Sequence, residues 1–422
     1  MLTLTEGWLA TFGFLALLGL ATGEGLLVGL GALVLITWVV AWSWNRASLA
    51  RVSYERETEP TRAFIGESIH VRMRISNKKA LPVPWVRVEE SFPSGMVEKD
   101  QPRMLRVEQG ANPITKATSL ARYERVTWNF DLECRERGLF RFGPARVTSG
   151  DVFGFFTSER HQPGQTHVLV YPKTFSLPEI GIPADRPFGE TKGGLPFYED
   201  PTRLRALRDY TPNDPLRRVD WKATARSHQM KIRVFDPSVT QAIMIVQDAR
   251  TLGRESGQWG YSPIYLERAV TVAASIARWG LEQRYGVGYA TNSVSPLTDE
   301  VIRVPFSRSP DQLAAMLEAL ALVGPISRES IFDFIEQEMH RFPLGAAIVL
   351  VTASMNEESA DAVREMRRAG FRPTVVWIGD DPIPVQIEDF ATVFEIGENL
   401  AKAEQESQFR QPEWASSVGL RR

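Results

Sequence analysis

The sequence predicts an α/β domain of Rossmann-like type, an all-β sandwich-like domain and an N-terminal two-helix transmembrane hairpin. Three observations carry this. The first forty-odd residues are almost free of charge. Residues 50–172 alternate apolar and polar without long helical periodicity. From about residue 240, short apolar runs alternate with amphipathic helical stretches. A chain of 422 residues exceeds one ordinary core, so two or three domains are expected. The expected segments are a hairpin over 1–48, a β-domain over 49–175, a connecting strand–helix–strand over 176–240, an α/β domain over 241–403 and a polar, disordered tail over 404–422.

The apolar run "WLATFGFLALLGLATGEGLLVGLGALVLITWVVAWSW" holds one charge, Glu24, near its middle. One span needs about 20 apolar residues, so a single straight helix would overshoot the bilayer. Two spans over 4–22 and 26–44, turning at "TGEG", keep every backbone group satisfied within a helix. Trp8, Trp38, Trp42 and Trp44 fall where interfacial aromatics belong. A signal peptide is the rival reading. It wants a basic N-terminal flank, and no Lys or Arg precedes the run. Arg46, Arg51 and Arg56 follow the second span, so the positive-inside rule places both ends, and the soluble part, on the cytoplasmic side of the cell membrane.

In the β-region, "SIHVRMRISN" puts Ile69, Val71, Met73 and Ile75 on one face and His70, Arg72 and Arg74 on the other, a half-buried strand. "WVRVEESF" and "ERVTWNFDL" repeat the pattern, and Gly143-Pro144 breaks "RGLFRFGPARV" into two strands. Cys134, the single cysteine, reads as a small buried strand residue with no disulfide partner.

In the α/β region, "QAIMIVQDA" is an apolar run suited to a buried parallel strand. A long helix follows, with Ser262 as N-cap and Pro263 at its first position. Strands "YGVGYAT", "VIRVPF", "GAAIVLVTA" and "RPTVVWIGD" alternate with three further helices, which predicts a parallel sheet covered on both faces. Ligands of such sheets bind at the strand carboxyl ends, here Asp248–Leu252, Thr352–Ser354 and Gly379–Asp381.

Between the two regions lies "DYTPNDPLRRVDWKATAR" (209–226). Asp214 and Pro215 suit the start of a helix running to about 227. That helix would carry Arg218, Lys222 and Arg226 as a basic stripe and leave Trp221 off the apolar seam. Flanking "LRALRDY" and "MKIRVFD" read as strands. Three readings stay open: an ion-paired structural element, a partner or anion site, and catalysis by Asp214 and Asp220. Basic neighbours should keep both carboxylates ionised, which suits proton transfer poorly.

Other chemistries lack their residues. The formal net charge of −2 argues against a nucleic-acid binder. "GETKGG" (189–194) lacks P-loop spacing. The five histidines are dispersed, with no H-E-x-x-H, and there is no G-x-S-x-G.

The stretch 204–237 resembles the signature of the domain of unknown function 58 family, through Arg208, Tyr210, Pro212, Asp214, Arg218, Asp220, Trp221, Ala223, Ala225 and Arg226; Asn213 stands where that pattern has glycine. "RERGLFRFGPARVTSGDVFGFF" (135–156) is similar to its second hallmark, and the paired N-terminal spans agree. The resemblance implies a membrane-anchored bacterial protein with a β-domain and a von Willebrand factor A-like α/β domain. It further implies action beside a MoxR-type AAA+ ATPase in protein maturation or envelope function. A metal-dependent adhesion site of the von Willebrand A type wants D-x-S-x-S, a threonine and a later aspartate around Mg²⁺. Asp248 matches, but Arg250 and Leu252 replace both serines, and Thr352 and Ser354 are followed by no aspartate. The expectation is a degenerate site without metal, Asp248 pairing with Arg250 or another base.

The expected role is therefore a membrane-tethered, non-enzymatic adaptor with no cofactor and no catalytic residue. Its signature residues Arg208, Tyr210, Asp214, Arg218, Asp220, Trp221 and Arg226 would hold the junction between domains or bind a partner. The alternatives are a metal-dependent adhesion module and an accessory to an envelope hydrolase.

Overall fold

The computed structural model describes residues 13–98 (apart from 15, 16 and 18), 112–188 (apart from 186), 199–211, 216, 219–237, 242–251, 262–380 (apart from 344), 382–383 and 386–407. The chain divides into two compact units, the first ending at Tyr171 and the second beginning at Pro172.

The first unit opens with one long apolar helix, α1 (Gly25–Ser48). By length and composition it is able to cross a membrane. Leu26, Leu30, Leu33, Leu35, Ile36, Val39, Val40 and Trp42 are exposed along it, as suits a helix whose solvent is lipid. Residues 19–22 are also helical and precede a turn at Gly23; most of the first expected span lies outside the described residues.

Among the described residues, eleven strands complete this unit. Strands β1 (Val52–Glu59), β3 (Ser68–Asn77), β7 (Arg125–Cys134) and β5 (Met96–Glu98) form one antiparallel sheet. A second contains β10 (Thr157–Gln162), β9 (Ala145–Gly150), β4 (Val83–Phe92) and β6 (Asn112–Leu120). Strands β2 (Arg62–Phe64), β11 (Thr166–Tyr171) and β8 (Gly138–Phe142) make a third, smaller sheet. One hydrophobic core joins them, with Val71, Met73 and Ile75 from β3 beside Val86 and Val88 from β4 and Phe130 from β7. The alternation read in β3 is realised: Ile69, Val71, Met73 and Ile75 are buried, while His70 and Arg72 face solvent. Cys134 is buried in β7, and burial pushes its thiol up to about 12, so it stays protonated and unreactive.

Arg56 corrects the charge reading of the membrane flank. It lies on β1, pairs with the fully buried Glu90, and donates to Gly164 O at 2.8 Å and Thr166 Oγ1 at 3.2 Å. Alternation on β1 turns its side chain inward, so only Arg46 and Arg51 of the three arginines are left at the helix exit.

The second unit begins with a two-stranded antiparallel sheet, β12 (Glu199–Asp209) and β13 (Lys231–Pro237), around the short helix α2 (Trp221–Ser227). A six-stranded sheet follows in the order β16-β15-β14-β17-β18-β19. Its members are β14 (Ala242–Gln247), β15 (Gly286–Val294), β16 (Val301–Ser307), β17 (Ala347–Thr352), β18 (Arg372–Trp377) and β19 (Thr392–Glu395). All pairings are parallel except β15–β16, which is antiparallel. A wholly parallel sheet was expected. The six residues between β15 and β16 allow only a hairpin, since a parallel return needs a crossover of about a dozen residues or more.

Helices α3 (Pro263–Glu282) and α4 (Gln312–Ala321) pack together on the sheet, and α5 (Ile331–Glu338) packs with α6 (Glu357–Arg368). Pro263 occupies the first position of α3, as read from sequence; Ser262 precedes it, but its side chain makes no capping bond. Helix α7 (Gly397–Ser407) runs past the expected start of the polar tail, and its Glu404 receives Nε of Arg268 at 3.3 Å.

Candidate functional site

Strand order reverses around β14, whose neighbours β15 and β17 lead away in opposite directions. A crevice opens at the carboxyl ends of strands at such a switch point. Asp248 follows β14 there, and Thr352 ends β17. Apolar strand residues drive both strands into the sheet centre, so Asp248 is carried into the interior with them and is almost fully buried.

Its carboxylate is held by groups of this unit. Oδ1 accepts from the Arg250 backbone N–H at 3.0 Å and from Asn292 Nδ2 at 3.0 Å. Oδ2 meets Thr352 Oγ1 at 3.3 Å. Asn292 also accepts from the Ala249 N–H at 2.8 Å, so one side chain clamps the start of this loop. The Thr352 hydroxyl has a second acceptor, Ser354 O at 2.8 Å, while the Ser354 N–H donates back to Thr352 Oγ1 at 3.1 Å. One hydroxyl proton cannot serve both acceptors. When it turns to Ser354, a protonated Asp248 completes the contact by donating to Thr352. Burial raises the Asp248 carboxyl to about 6, against the lowering effect of its hydrogen bonds and of the Arg250 charge.

The expected pairing of Asp248 with the Arg250 side chain gives way to a backbone contact. Arg250 reaches Asp248 with its N–H, while its guanidinium Nε donates to Ser327 Oγ at 3.1 Å. A buried carboxyl already ringed by donors leaves a guanidinium better placed at the rim, where it stays hydrated.

These residues do not fit a magnesium shell. N–H donors point at Asp248 Oδ1, where a cation would need the lone pairs. Among the described residues, no group of three or more His, Cys, Asp or Glu is placed to hold a metal. Leu252 lies outside the described residues. At the third expected loop, Asp380 accepts from Arg268 Nη1 at 2.8 Å and from Tyr265 OH at 2.9 Å, which ties it to α3; Asp381 lies outside the described residues.

The signature stretch departs from its expected geometry. Pro215 lies outside the described residues; the described helix starts at Trp221, and Val219, buried in a β-bridge with Ile232, interrupts the continuous helix expected from 215 to about 227. Asp220 is the N-cap and accepts from the Ala223 N–H at 2.9 Å. That bond, with Arg233 Nε 3.3 Å away, keeps its carboxyl below the usual range and ionised. Lys222 and Arg226 lie on this helix; Asp214 and Arg218 lie outside the described residues. Trp221 is 66% exposed, as are, less strongly, Leu216 and Leu207. Arg208 donates to the carbonyl of its neighbour Asp209 at 3.1 Å, and the Tyr210 N–H donates to Met230 O at 2.9 Å, which closes the end of the β12–β13 ribbon.

Residues 206–383 match the family model described as "Protein of unknown function DUF58". This DUF58 match takes in Tyr210, Asp220, Trp221, Asp248, Asn292 and Thr352, so the exposed tryptophan and the buried carboxyl site fall within one region. The chain is also 23% identical over 332 residues to "Uncharacterized protein YeaD" of Bacillus subtilis (strain 168), covering 76% of this chain and 74% of that protein. Among solved structures, the CARDB domain of the PF1109 protein from Pyrococcus furiosus is 12% identical, with 28% of this chain and 91% of that one covered, at a TM-score of 0.20. Trypsin-activated alpha-2-macroglobulin from Escherichia coli is 18% identical, with 29% of this chain and 7% of that one covered, at a TM-score of 0.21. TM-scores this low carry no argument about the fold.

Asn292 is the site residue that sequence reasoning missed. Its signal was weak: a single polar amide near the end of an apolar strand, two residues after Ala290.

Proposed function

We propose that the chain is a membrane-tethered, non-enzymatic adaptor that offers its second unit to a protein partner. The carrying observation is Trp221, which stands exposed beside Lys222 and Arg226 on a helix pinned by the Asp220 cap. Large aromatics and arginines are the residues that anchor protein interfaces. The internally bonded Asp248 carboxyl favours binding over catalysis. Resemblance to the domain of unknown function 58 family points to a MoxR-type AAA+ ATPase as the partner. A sheet with one antiparallel edge strand, β16, in this order supports the von Willebrand A-like reading. A two-helix hairpin is favoured by the turn at Gly23 and by the close approach at Gly19, where a Cβ would lie 2.7 Å from Leu27 Cβ. Arg46 and Arg51 at the helix exit favour a cytoplasmic soluble part.

Affinity capture from detergent-solubilised membranes tests the adaptor. The wild type should recover the ATPase in at least one nucleotide state, and Trp221→Ala should weaken the isolated pair by about 30-fold or more, the loss of one interface anchor. Absence of the ATPase with ATP, with ADP and without nucleotide would overturn the partner. Equal capture by Trp221→Ala would overturn the surface.

A further inference from the structure

The β9–β10 hairpin ends in the loop 151–156, "DVFGFF", and three of its side chains are apolar and outward-facing. Val152 is 58% exposed, Phe153 54% and Phe155 47%. Phe153 and Phe155 stack with ring centroids 5.9 Å apart. The loop is rigidly built. Asp151, fully buried, accepts from the N–H groups of Phe153 and Phe156 at 2.6 Å each and from that of Phe155 at 3.3 Å. Trp85 Nε1 donates to Asp151 O at 3.2 Å. Gly150 sits so close that a Cβ there would lie 2.3 Å from Phe156 O. A buried carboxylate and a tight backbone turn thus hold an apolar tip out of its own core.

The hairpin lies along α1. Ser158 Oγ donates to Asn45 Oδ1 at 3.0 Å, and two residues earlier Phe156 meets Trp38 edge-on at 5.8 Å. Arg160 fixes the helix exit through Leu49 O at 2.7 Å and Val52 O at 3.0 Å, and Lys79 Nζ caps the carbonyls of Ala47 and Ser48. On α1, Val34, Thr37, Trp38, Ala41, Trp44, Asn45 and Ser48 share one half-buried or buried stripe, the i, i+3, i+4 spacing of a packed helix face. The hairpin therefore points back from the polar end of α1 towards its apolar middle. At 1.5 Å per residue, Trp38 lies about 10 Å from Asn45 along the axis, within the reach of interfacial insertion. No charged side chain follows Asp151 until Glu159.

We propose that Val152, Phe153 and Phe155 form a membrane wedge that inserts beside α1 into the leaflet from which α1 emerges. The occupant of this surface is lipid, because the loop packs on α1 through Phe156 and Trp38 and exposes its apolar tip on the same hairpin, beside a helix whose other faces are apolar and exposed. The proposal rests on the reading that α1 spans a bilayer.

The test uses the full chain in phosphatidylcholine–phosphatidylglycerol vesicles, with an environment-sensitive dye on Phe153→Cys or, separately, on Leu35→Cys in α1. Cys134 is buried and does not compete for label. Both dyes should shift to the blue, be quenched by lipids with an acyl-chain nitroxide, and be shielded at least several-fold from aqueous iodide. A lipid-quenched Leu35 dye with an iodide-accessible Phe153 dye would overturn the wedge and leave α1 in the membrane. An iodide-accessible, lipid-insensitive Leu35 dye would overturn the spanning helix and the wedge with it.

Discussion

Replacing Glu90 with alanine is expected to lower the unfolding free energy of the first unit by about 3–5 kcal/mol, the cost of leaving a buried charge without its partner. Glu90 has no exposed side-chain surface, and its oxygens receive both Tyr54 OH and Arg56 Nη1. Burial pushes the Tyr54 hydroxyl up, so it stays a donor, and pushes the Arg56 guanidinium down, so its charge is costly inside the unit without a carboxylate beside it. Removing the carboxylate leaves Arg56 inside the unit with Thr166 and Gly164 as its acceptors. The paired change Arg56→Met, Glu90→Leu should recover most of the loss, since apolar groups of similar volume carry no desolvation penalty. Urea unfolding of the detergent-solubilised chain, with hydrogen exchange read on peptides of β1 and β4, measures both. A loss under about 1 kcal/mol for Glu90→Ala would put the pair in the range of solvent-exposed ion pairs and defeat the argument.

The second large effect is a pH dependence centred on Asp248. Its ordinary carboxyl value is 3.8, and the folded chain holds it at about 6. Between these values the native state keeps a proton that the unfolded chain has lost. Stability from this group is therefore full below about pH 4, falls as the pH rises through about 6, and levels off above. Two pH units correspond to about 3 kcal/mol. Asp248→Asn cannot titrate and imitates the neutral form, its amide able to donate to Thr352 Oγ1. The variant and the wild type should be close in stability at pH 4, and the variant should be the more stable by up to about 3 kcal/mol at pH 7.5. Urea midpoints of the second unit at both values decide it. A difference between the two proteins that is the same at pH 4 and pH 7.5 would mean that Asp248 titrates as an ordinary carboxylate.

Both effects depend on pairs that no local pattern could reveal. Period-two alternation announced β3, because each side chain reports its own face of the pleat. The apolar run of β14 and the helical spacing of α3 were equally legible. The start of α2 was not: Asp214-Pro215, the local signal, lies outside the described residues, and the bridge from Val219 to Ile232 holds residue 219 extended so that Asp220 caps the helix beginning at Trp221. The antiparallel turn of β16 was available in the short β15–β16 link and was missed by reading only strand identity. Arg56 looked like a membrane-flanking charge because sequence distance from the helix was the only ruler.

At the candidate site, Asp248 and Thr352 were legible as residues at strand ends, and the fold brings them together. Asn292 was not, since an amide near the end of a strand has no periodic signature. Its value lies in reaching Asp248, 44 positions away, with the geometry of a clamp.

By itself, the sequence determined the apolar N-terminal helix, the β-rich and α/β regions, and the inert burial of Cys134. These follow from composition and spacing over a few turns or strands, where burial is a property of one residue and its near neighbours. Only the tertiary structure decided that Glu90 neutralises Arg56, that Asp248 is ringed by donors, and that Phe156, at the base of the apolar tip, packs on Trp38. Charge neutralisation, hydrogen-bond satisfaction and ring packing are relations between distant segments. Their free energy exists only once packing has removed water from between the partners.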